Sequence, residues 1–100
     1  MAAISDAAMQ RWFTPEFLAS EPGTVAALKE VFERTSPAGY VQCCAAIRDA
    51  DFRDALGAIA TPTLVLSGTG DVATTHDDGR FLAARIADAQ FASIDAAHLS

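Results

Sequence analysis

Basic side chains are scarce in this 100-residue chain. It has 7 Lys and Arg against 13 Asp and Glu, a formal net charge of −6, and Lys29 is its one lysine. A nucleic-acid surface needs clustered basic side chains, and so does a helix that lies on an anionic membrane. The composition therefore argues against a nucleic-acid partner and against a membrane partner.

Cysteine and long apolar runs are also in short supply. Cys43 and Cys44 are adjacent, and no other cysteine exists to pair with them, so no disulfide framework or metal-binding spacing follows. We interpret both as small hydrophobic residues, buried or half-buried on a helix, in a protein of the reducing cytoplasm. No apolar run approaches the roughly 20 residues of a membrane-spanning helix. Asp6 stands where a signal peptide would carry a base.

The first 60 residues predict short helices and show no strand pattern. Thr14-Pro15 and Ser36-Pro37 each combine a good N-cap with proline at the first helical position, and Pro22 opens a further helix. Apolar residues at helical spacing predict the inner faces of two of these helices. The first face comprises Val25, Leu28, Val31 and Phe32, and the second comprises Tyr40, Val41, Cys44 and Ile47.

Residues 61–100 predict a strand, a helix and a second strand. The apolar run Thr63–Ser67 is typical of a strand buried on both faces of a parallel sheet. Thr74 or Thr75 then caps a helix over 76–87, and 90–95 forms the second strand. The fold class is therefore α/β, with a helical region followed by one right-handed βαβ unit whose strands are parallel.

Two parallel strands alone are too few for a stable sheet, since three or more covered strands are the norm. The chain also ends two residues after His98, with no closing helix. We therefore expect it to be a fragment, with an N-terminal half of the same fold as its partner.

An acid and a histidine follow the two predicted strands. Asp71 comes after the first strand and His98 after the second. Open α/β sheets place their sites at the carboxyl ends of the strands, and neighbouring strands lie about 4.8 Å apart. The order predicts a triad in which His98 is the base and Asp71 orients it. The competing interpretations are a solvated histidine and an ordinary turn aspartate.

A nucleophile is missing from this arrangement. None of the six serines lies in the Gly-x-Ser-x-Gly turn that exposes a catalytic hydroxyl above a sheet. Acting alone, the chain should have no triad chemistry.

The segment Gly68–Ala73 has a second interpretation. It matches the Gly-x-Gly-x-x-Gly/Ala pattern of dinucleotide-binding turns, which predicts a non-catalytic nucleotide-binding module as the alternative. Asp71 would place a carboxylate where the pyrophosphate should lie. The 60 helical residues upstream also disagree with a motif that usually opens its sheet.

Arg11 and Trp12 are candidate substrate-binding residues at a predicted helix break. An arginine can hold a carboxylate through two parallel hydrogen bonds, and Trp12 could wall an apolar pocket. The simpler alternative is that Trp12 packs between helices and Arg11 is solvated.

With these residues in view, the chain resembles the α/β-hydrolase family along its whole length, and within it the 3-oxoadipate enol-lactonases. Stretches at both ends and in the middle carry the resemblance: Arg11–Thr14, Gly39-Tyr40, Cys44–Ile47, Asp49–Arg53, Pro62–Gly68 with Asp71, and Asp95–Ser100. The stretches with Asp71 and His98 are general to the superfamily. Arg11–Thr14 and Asp49–Arg53 are more particular to the lactonases.

The resemblance implies that residues 1–60 form a cap over the active site and return to the core, and that 61–100 carry the triad acid Asp71 and the triad base His98. It implies hydrolysis of the enol-lactone of 3-oxoadipate in the β-ketoadipate pathway, without a metal or organic cofactor. The substrate is a small lactone that carries a carboxylate, which favours Arg11 and Trp12 as its contacts. Another α/β-hydrolase, such as an esterase or a haloperoxidase-like enzyme, is the alternative.

Overall fold

Helices fill the first half of the computed structural model, which describes residues 1–99. Residue 100, the last of the predicted core region, lies outside the described residues. The helices are α1 (Ala2–Trp12), α2 (Pro15–Ser20), α3 (Pro22–Glu33) and α4 (Pro37–Asp49), followed by a 3₁₀ helix (Arg53–Ala58).

The predicted helix starts are confirmed. The Thr14 hydroxyl accepts a hydrogen bond from the Phe17 amide at 3.1 Å, and the Ser36 hydroxyl accepts one from the Gly39 amide at 3.3 Å. Pro22 stands at the first position of α3 without a side-chain cap. Proline suits these positions because the first amides of a helix have no intrahelical acceptor.

The second half forms the predicted βαβ unit. Strand β1 (Thr63–Gly68) pairs in parallel with β2 (Ala89–Ile94), and helix α5 (His76–Arg85) connects them. Thr75 and Asp78 form a capping box at the start of α5. Buried Gly79 brings α5 against the sheet, with Ser67 and Phe91 directly beneath it.

The helices share one apolar core. Met9, Phe13 and Phe32 are buried at its centre. The Trp12 ring meets Phe32 edge-on at 5.4 Å between centroids, and Phe13 stacks on Phe17 at 5.0 Å. These contacts join α1, α2 and α3 into one packed layer.

Several predicted core positions are exposed, and those predictions are wrong. Val31, Val41 and Ile47 are 56%, 65% and 76% exposed, and both cysteines are exposed on α4. Strand β1 is covered on one face only, with Leu64 and Leu66 exposed. Within residues 1–99, α5 packs against one face of the sheet, and no element covers the opposite face. An apolar pattern predicts which face can be buried, whereas burial itself needs a partner.

None of the helices among residues 1–99 has the length and hydrophobicity needed to cross a bilayer.

Neighbouring residues of α3 provide a test of this packing. Phe32→Ala should lower the free energy of unfolding by about 3 kcal/mol or more, because it empties a buried site between Trp12 and Tyr40. Val31→Ala, at an exposed position of the same helix, should change it by less than about 0.5 kcal/mol. Urea unfolding followed by circular dichroism measures both. Equal losses would contradict the described core.

Candidate active site

Asp71 and His98 meet at one edge of the sheet. Because β1 and β2 are parallel and Gly68 is paired with Ile94, the loops that follow the strands leave the sheet side by side. Oδ2 of Asp71 lies 3.0 Å from Nδ1 of His98, which is hydrogen-bonding distance. The predicted juxtaposition of the acid and the histidine is therefore present.

The two loops are also joined through their main chains. The Gly70 amide donates to the Ala96 carbonyl at 3.0 Å. At Gly68, a side chain would overlap the Ala96 carbonyl oxygen and approach that of Ala97 to 2.8 Å. Its φ is not positive, so the requirement for glycine here is one of space. This close approach holds the loop of His98 against the loop of Asp71.

The Asp71 carboxylate is almost enclosed, with only 9% of its side chain exposed. Oδ1 accepts hydrogen bonds from the amides of Ala73 at 2.7 Å and Thr74 at 3.0 Å. Oδ2 accepts from the Thr74 hydroxyl at 2.9 Å and faces His98. Burial by itself raises the pKa of Asp71, but the hydrogen bonds from His98, Thr74 and Ala73 outweigh it and hold the pKa well below its ordinary range.

His98 is more accessible than its partner, with 32% of its side chain exposed. A neutral imidazole carries one proton, and a carboxylate beside Nδ1 favours the tautomer with that proton on Nδ1. Nε2 is then free to accept a proton. This is the state that a general base needs.

An open cleft of about 740 Å³ includes both residues in its lining. Leu82 contributes an apolar wall and Arg53 a charged one. The Arg53 guanidinium is already engaged by Asp51 through two hydrogen bonds of 2.8 and 2.5 Å. The cleft thus offers apolar surface beside the acid–histidine pair.

Arg11 and Trp12 lie in different surroundings, because Trp12 packs in the core and Arg11 is exposed. The Trp12 ring packs on Phe32, while its carbonyl accepts a hydrogen bond from the Leu99 amide at 2.9 Å. The end of α1 is therefore adjacent to His98. The Arg11 side chain is exposed, and within residues 1–99 it forms no ion pair. No described contact brings Arg11 to Asp71 or His98.

Thr74 is a site residue that the sequence analysis missed, since it treated Thr74 and Thr75 as equivalent caps. Thr75 caps α5, with its hydroxyl accepting from the Asp78 amide at 3.3 Å. Thr74 instead contacts Asp71. An aspartate readily accepts hydrogen bonds from amides two and three residues later, and that tendency was the available signal.

The geometry of Gly68–Ala73 counts against a nucleotide site. A phosphate would need free amides at this turn, but the amides of Ala73 and Thr74 already donate to the Asp71 carboxylate. The capping box occupies the start of α5. Among residues 1–99, no group of three or more His, Cys, Asp and Glu side chains is arranged to hold a metal.

The parallel βαβ unit, with its acid and histidine at the strand ends, matches part of the α/β-hydrolase fold in two solved enzymes. The chain superposes on an enol-lactonase from Burkholderia xenovorans with a TM-score of 0.96 and 43% identity, over 98% of this chain and 38% of that one. A hydrolase from Pseudomonas aeruginosa matches with a TM-score of 0.93 and 33% identity, over 100% of this chain and 38% of that one.

In sequence, the chain is homologous to two 3-oxoadipate enol-lactonases of Acinetobacter baylyi. Each is 37% identical to it, one over 100 residues and the other over 90. The aligned regions are 100% and 90% of this chain, but 38% and 34% of those proteins. The chain thus spans little more than a third of the length of these relatives. No family model matches it.

The lowered pKa of Asp71 predicts a specific dependence on pH. Its carboxylate stabilises the folded state above the unfolded aspartate pKa of about 3.9, and this contribution is lost as the pH falls through the lower folded pKa. Asp71→Asn should therefore flatten the decline in unfolding free energy between about pH 5 and pH 2. Urea titrations at several pH values measure this slope.

Asp88→Asn is the control for this experiment. Asp88 is exposed, and within residues 1–99 its side chain has no hydrogen bond, so the variant should keep the wild-type slope. Equal flattening in both variants would show that the Asp71 hydrogen bonds contribute nothing particular.

Proposed function

We propose that this chain is the C-terminal part of a serine hydrolase that cleaves the enol-lactone of 3-oxoadipate, in the β-ketoadipate pathway of aromatic catabolism. The observation that carries the proposal is the 3.0 Å contact between Asp71 and His98 at the strand ends. The homologues named 3-oxoadipate enol-lactonase support this choice of substrate.

The proposed roles follow from the protonation of the pair. A serine outside these 100 residues attacks the lactone carbonyl, and Nε2 of His98 takes its proton. The ring C–O bond then breaks, and the leaving enol oxygen receives that proton. Water, deprotonated by His98, then attacks the acyl-enzyme ester, the bond between the carbonyl carbon and the serine oxygen breaks, and the serine oxygen receives the proton from His98. Asp71 holds the imidazole in position and stabilises its positive charge during both steps.

The proposal divides the chain into a cap region and a core region. Residues 1–60 form the cap over the site and the return to the core, and 61–100 carry the acid and the base. The hydrogen bond between Trp12 and Leu99 supports a cap that borders the site. With the nucleophile elsewhere, this chain alone is inactive, and its partner is the N-terminal half of the same fold.

Arg11 and Trp12 are the proposed substrate contacts. The enol-lactone of 3-oxoadipate carries a carboxylate, and Arg11 is an exposed cation one residue before the carbonyl that meets Leu99. A guanidinium matches a carboxylate with two parallel hydrogen bonds. The chemistry needs no cofactor. The free thiols of Cys43 and Cys44 support a cytoplasmic location.

A broader activity is the second candidate. The Pseudomonas aeruginosa neighbour is named only as a hydrolase, yet it matches the whole chain with a TM-score of 0.93. The same acid–histidine pair would serve an esterase or a haloperoxidase-like enzyme. Turnover of simple aryl esters beside the enol-lactone distinguishes these activities.

A chimaera tests the proposed base. In it, this chain replaces the matching 38% of the Burkholderia xenovorans enol-lactonase. The chimaera should hydrolyse the enol-lactone, and His98→Ala should lower kcat by about 1,000-fold or more, because the proposed base for the serine proton is then removed. Initial rates of enol-lactone hydrolysis at a series of substrate concentrations give kcat and KM.

The chain offers a matched control, since His76 is its other histidine. His76 is the first residue of α5 and packs against the Phe91 ring of β2, so His76→Ala should retain turnover. Full activity in the His98→Ala chimaera would contradict the base assignment. A folded chimaera that turned over aryl esters and not the lactone would favour the broader activity.

Arg11→Gln in the chimaera tests the substrate contact. Loss of a charge-assisted contact to a spectator carboxylate should raise KM for the enol-lactone about tenfold and leave kcat nearly unchanged. The effect should vanish for an uncharged aryl ester. Arg34→Gln, which removes a surface ion pair with Glu30, is the control and should change neither constant. Identical KM values for Arg11→Gln and wild type would remove Arg11 from the site.

A further inference from the structure

Thr74 contacts both members of the acid–histidine pair. Its amide donates to Oδ1 of Asp71 at 3.0 Å, and its hydroxyl donates to Oδ2 at 2.9 Å. The same hydroxyl oxygen lies 3.3 Å from Nδ1 of His98. Three polar groups thus form a closed triangle: a carboxylate oxygen, a hydroxyl and an imidazole nitrogen.

The first consequence concerns the plane of the carboxylate. The terminal torsion of an aspartate is broad, so one hydrogen bond leaves the group free to turn. Thr74 holds both oxygens, and the Ala73 amide adds a further bond to Oδ1 at 2.7 Å. Oδ2 is therefore kept toward His98.

The second consequence concerns the proton of the imidazole. Since the Thr74 hydroxyl gives its hydrogen to Asp71, its lone pairs are available to an N–H on Nδ1 of His98. A proton at Nδ1 then faces two acceptors, at 3.0 and 3.3 Å. An unprotonated Nδ1 would face the Asp71 carboxylate with a lone pair. The surroundings favour the Nδ1–H tautomer.

Helix capping does not account for Thr74. Thr75 supplies the capping box with Asp78, through bonds of 2.8 and 3.3 Å. The Thr74 side chain is exposed, and its hydroxyl bonds to the acid–histidine pair. The Thr74 hydroxyl therefore makes its contacts with Asp71 and His98, while the cap of α5 is made by Thr75.

We propose that Thr74 is a positioning residue for hydrolysis, whose hydroxyl fixes the Asp71 carboxylate and keeps the proton of neutral His98 on Nδ1. The proposal rests on the proposed function, in which Nε2 of His98 must accept a proton. Thr74 touches no reacting atom and acts through its two neighbours.

The test compares three variants. Thr74→Val removes the hydroxyl and keeps the shape of the side chain, Thr74→Ser restores the hydroxyl, and Thr75→Val makes the same deletion at the adjacent helix cap. The tautomer of neutral His98 is measured from its ¹⁵N chemical shifts, with His76 as an internal reference. The spectra are recorded on the 100-residue chain and on the chimaera, so that the result does not depend on the chain folding alone.

Thr74→Val should lower the Nδ1–H fraction of His98 and reduce kcat of the chimaera about tenfold, with KM nearly unchanged, because the base spends less time in the competent tautomer. Thr74→Ser should recover both to within about threefold of wild type. Thr75→Val should lower thermal stability, since it removes a helix cap, and leave the tautomer unchanged.

An unchanged tautomer in Thr74→Val would overturn the proposal, even in an active chimaera. So would an equal loss of the tautomer in Thr75→Val, because the effect would then come from stability. An inactive wild-type chimaera would count against the proposed function instead. The tautomer comparison needs no turnover and would still decide the role of Thr74.

Discussion

The parallel register of two short strands determines where the reactive groups of this chain lie. Gly68 is opposite Ile94, so the acid loop and the histidine loop begin at the same level of the sheet. A slip of one residue would turn every side chain of one strand to the other face and separate the loops. The close approach of Gly68 to the Ala96 carbonyl then adds a second constraint, since no side chain fits between the loops.

Desolvation and hydrogen bonding act in opposite directions on the ionisation of Asp71. Enclosure of Asp71 opposes its charge, whereas two amides, a hydroxyl and an imidazole all favour it. The hydrogen bonds prevail because they converge on a single carboxylate over a few residues of turn. The acid, the turn and His98 therefore form one unit. This explains how a charged group can persist at a position with so little access to water.

The features that could be predicted from sequence depend on neighbours along the chain. Thr14-Pro15 and Ser36-Pro37 start helices because capping is local, and Thr63–Ser67 forms a strand because its side chains favour one. Exposure of Ile47 and Leu66 could not be predicted, since burial requires a covering surface that residues 1–99 do not supply. The difference between Thr74 and Thr75 comes from Asp71, which accepts hydrogen bonds from the amide and the hydroxyl of Thr74, a local contact that a search for helix caps does not consider. The role of Arg11 depends on a ligand, which no residue pattern contains.

The hydrogen bond between the Leu99 amide and the Trp12 carbonyl joins main chain to main chain. Such a bond makes no demand on the identity of either side chain. Helical residues that border the site can therefore be exchanged over evolutionary time, while this main-chain bond continues to hold the segment next to His98 in place. Under the proposed function, the helical residues that select the substrate and the acid–histidine pair that cleaves it are thereby free to change separately, although they lie within one bond of each other.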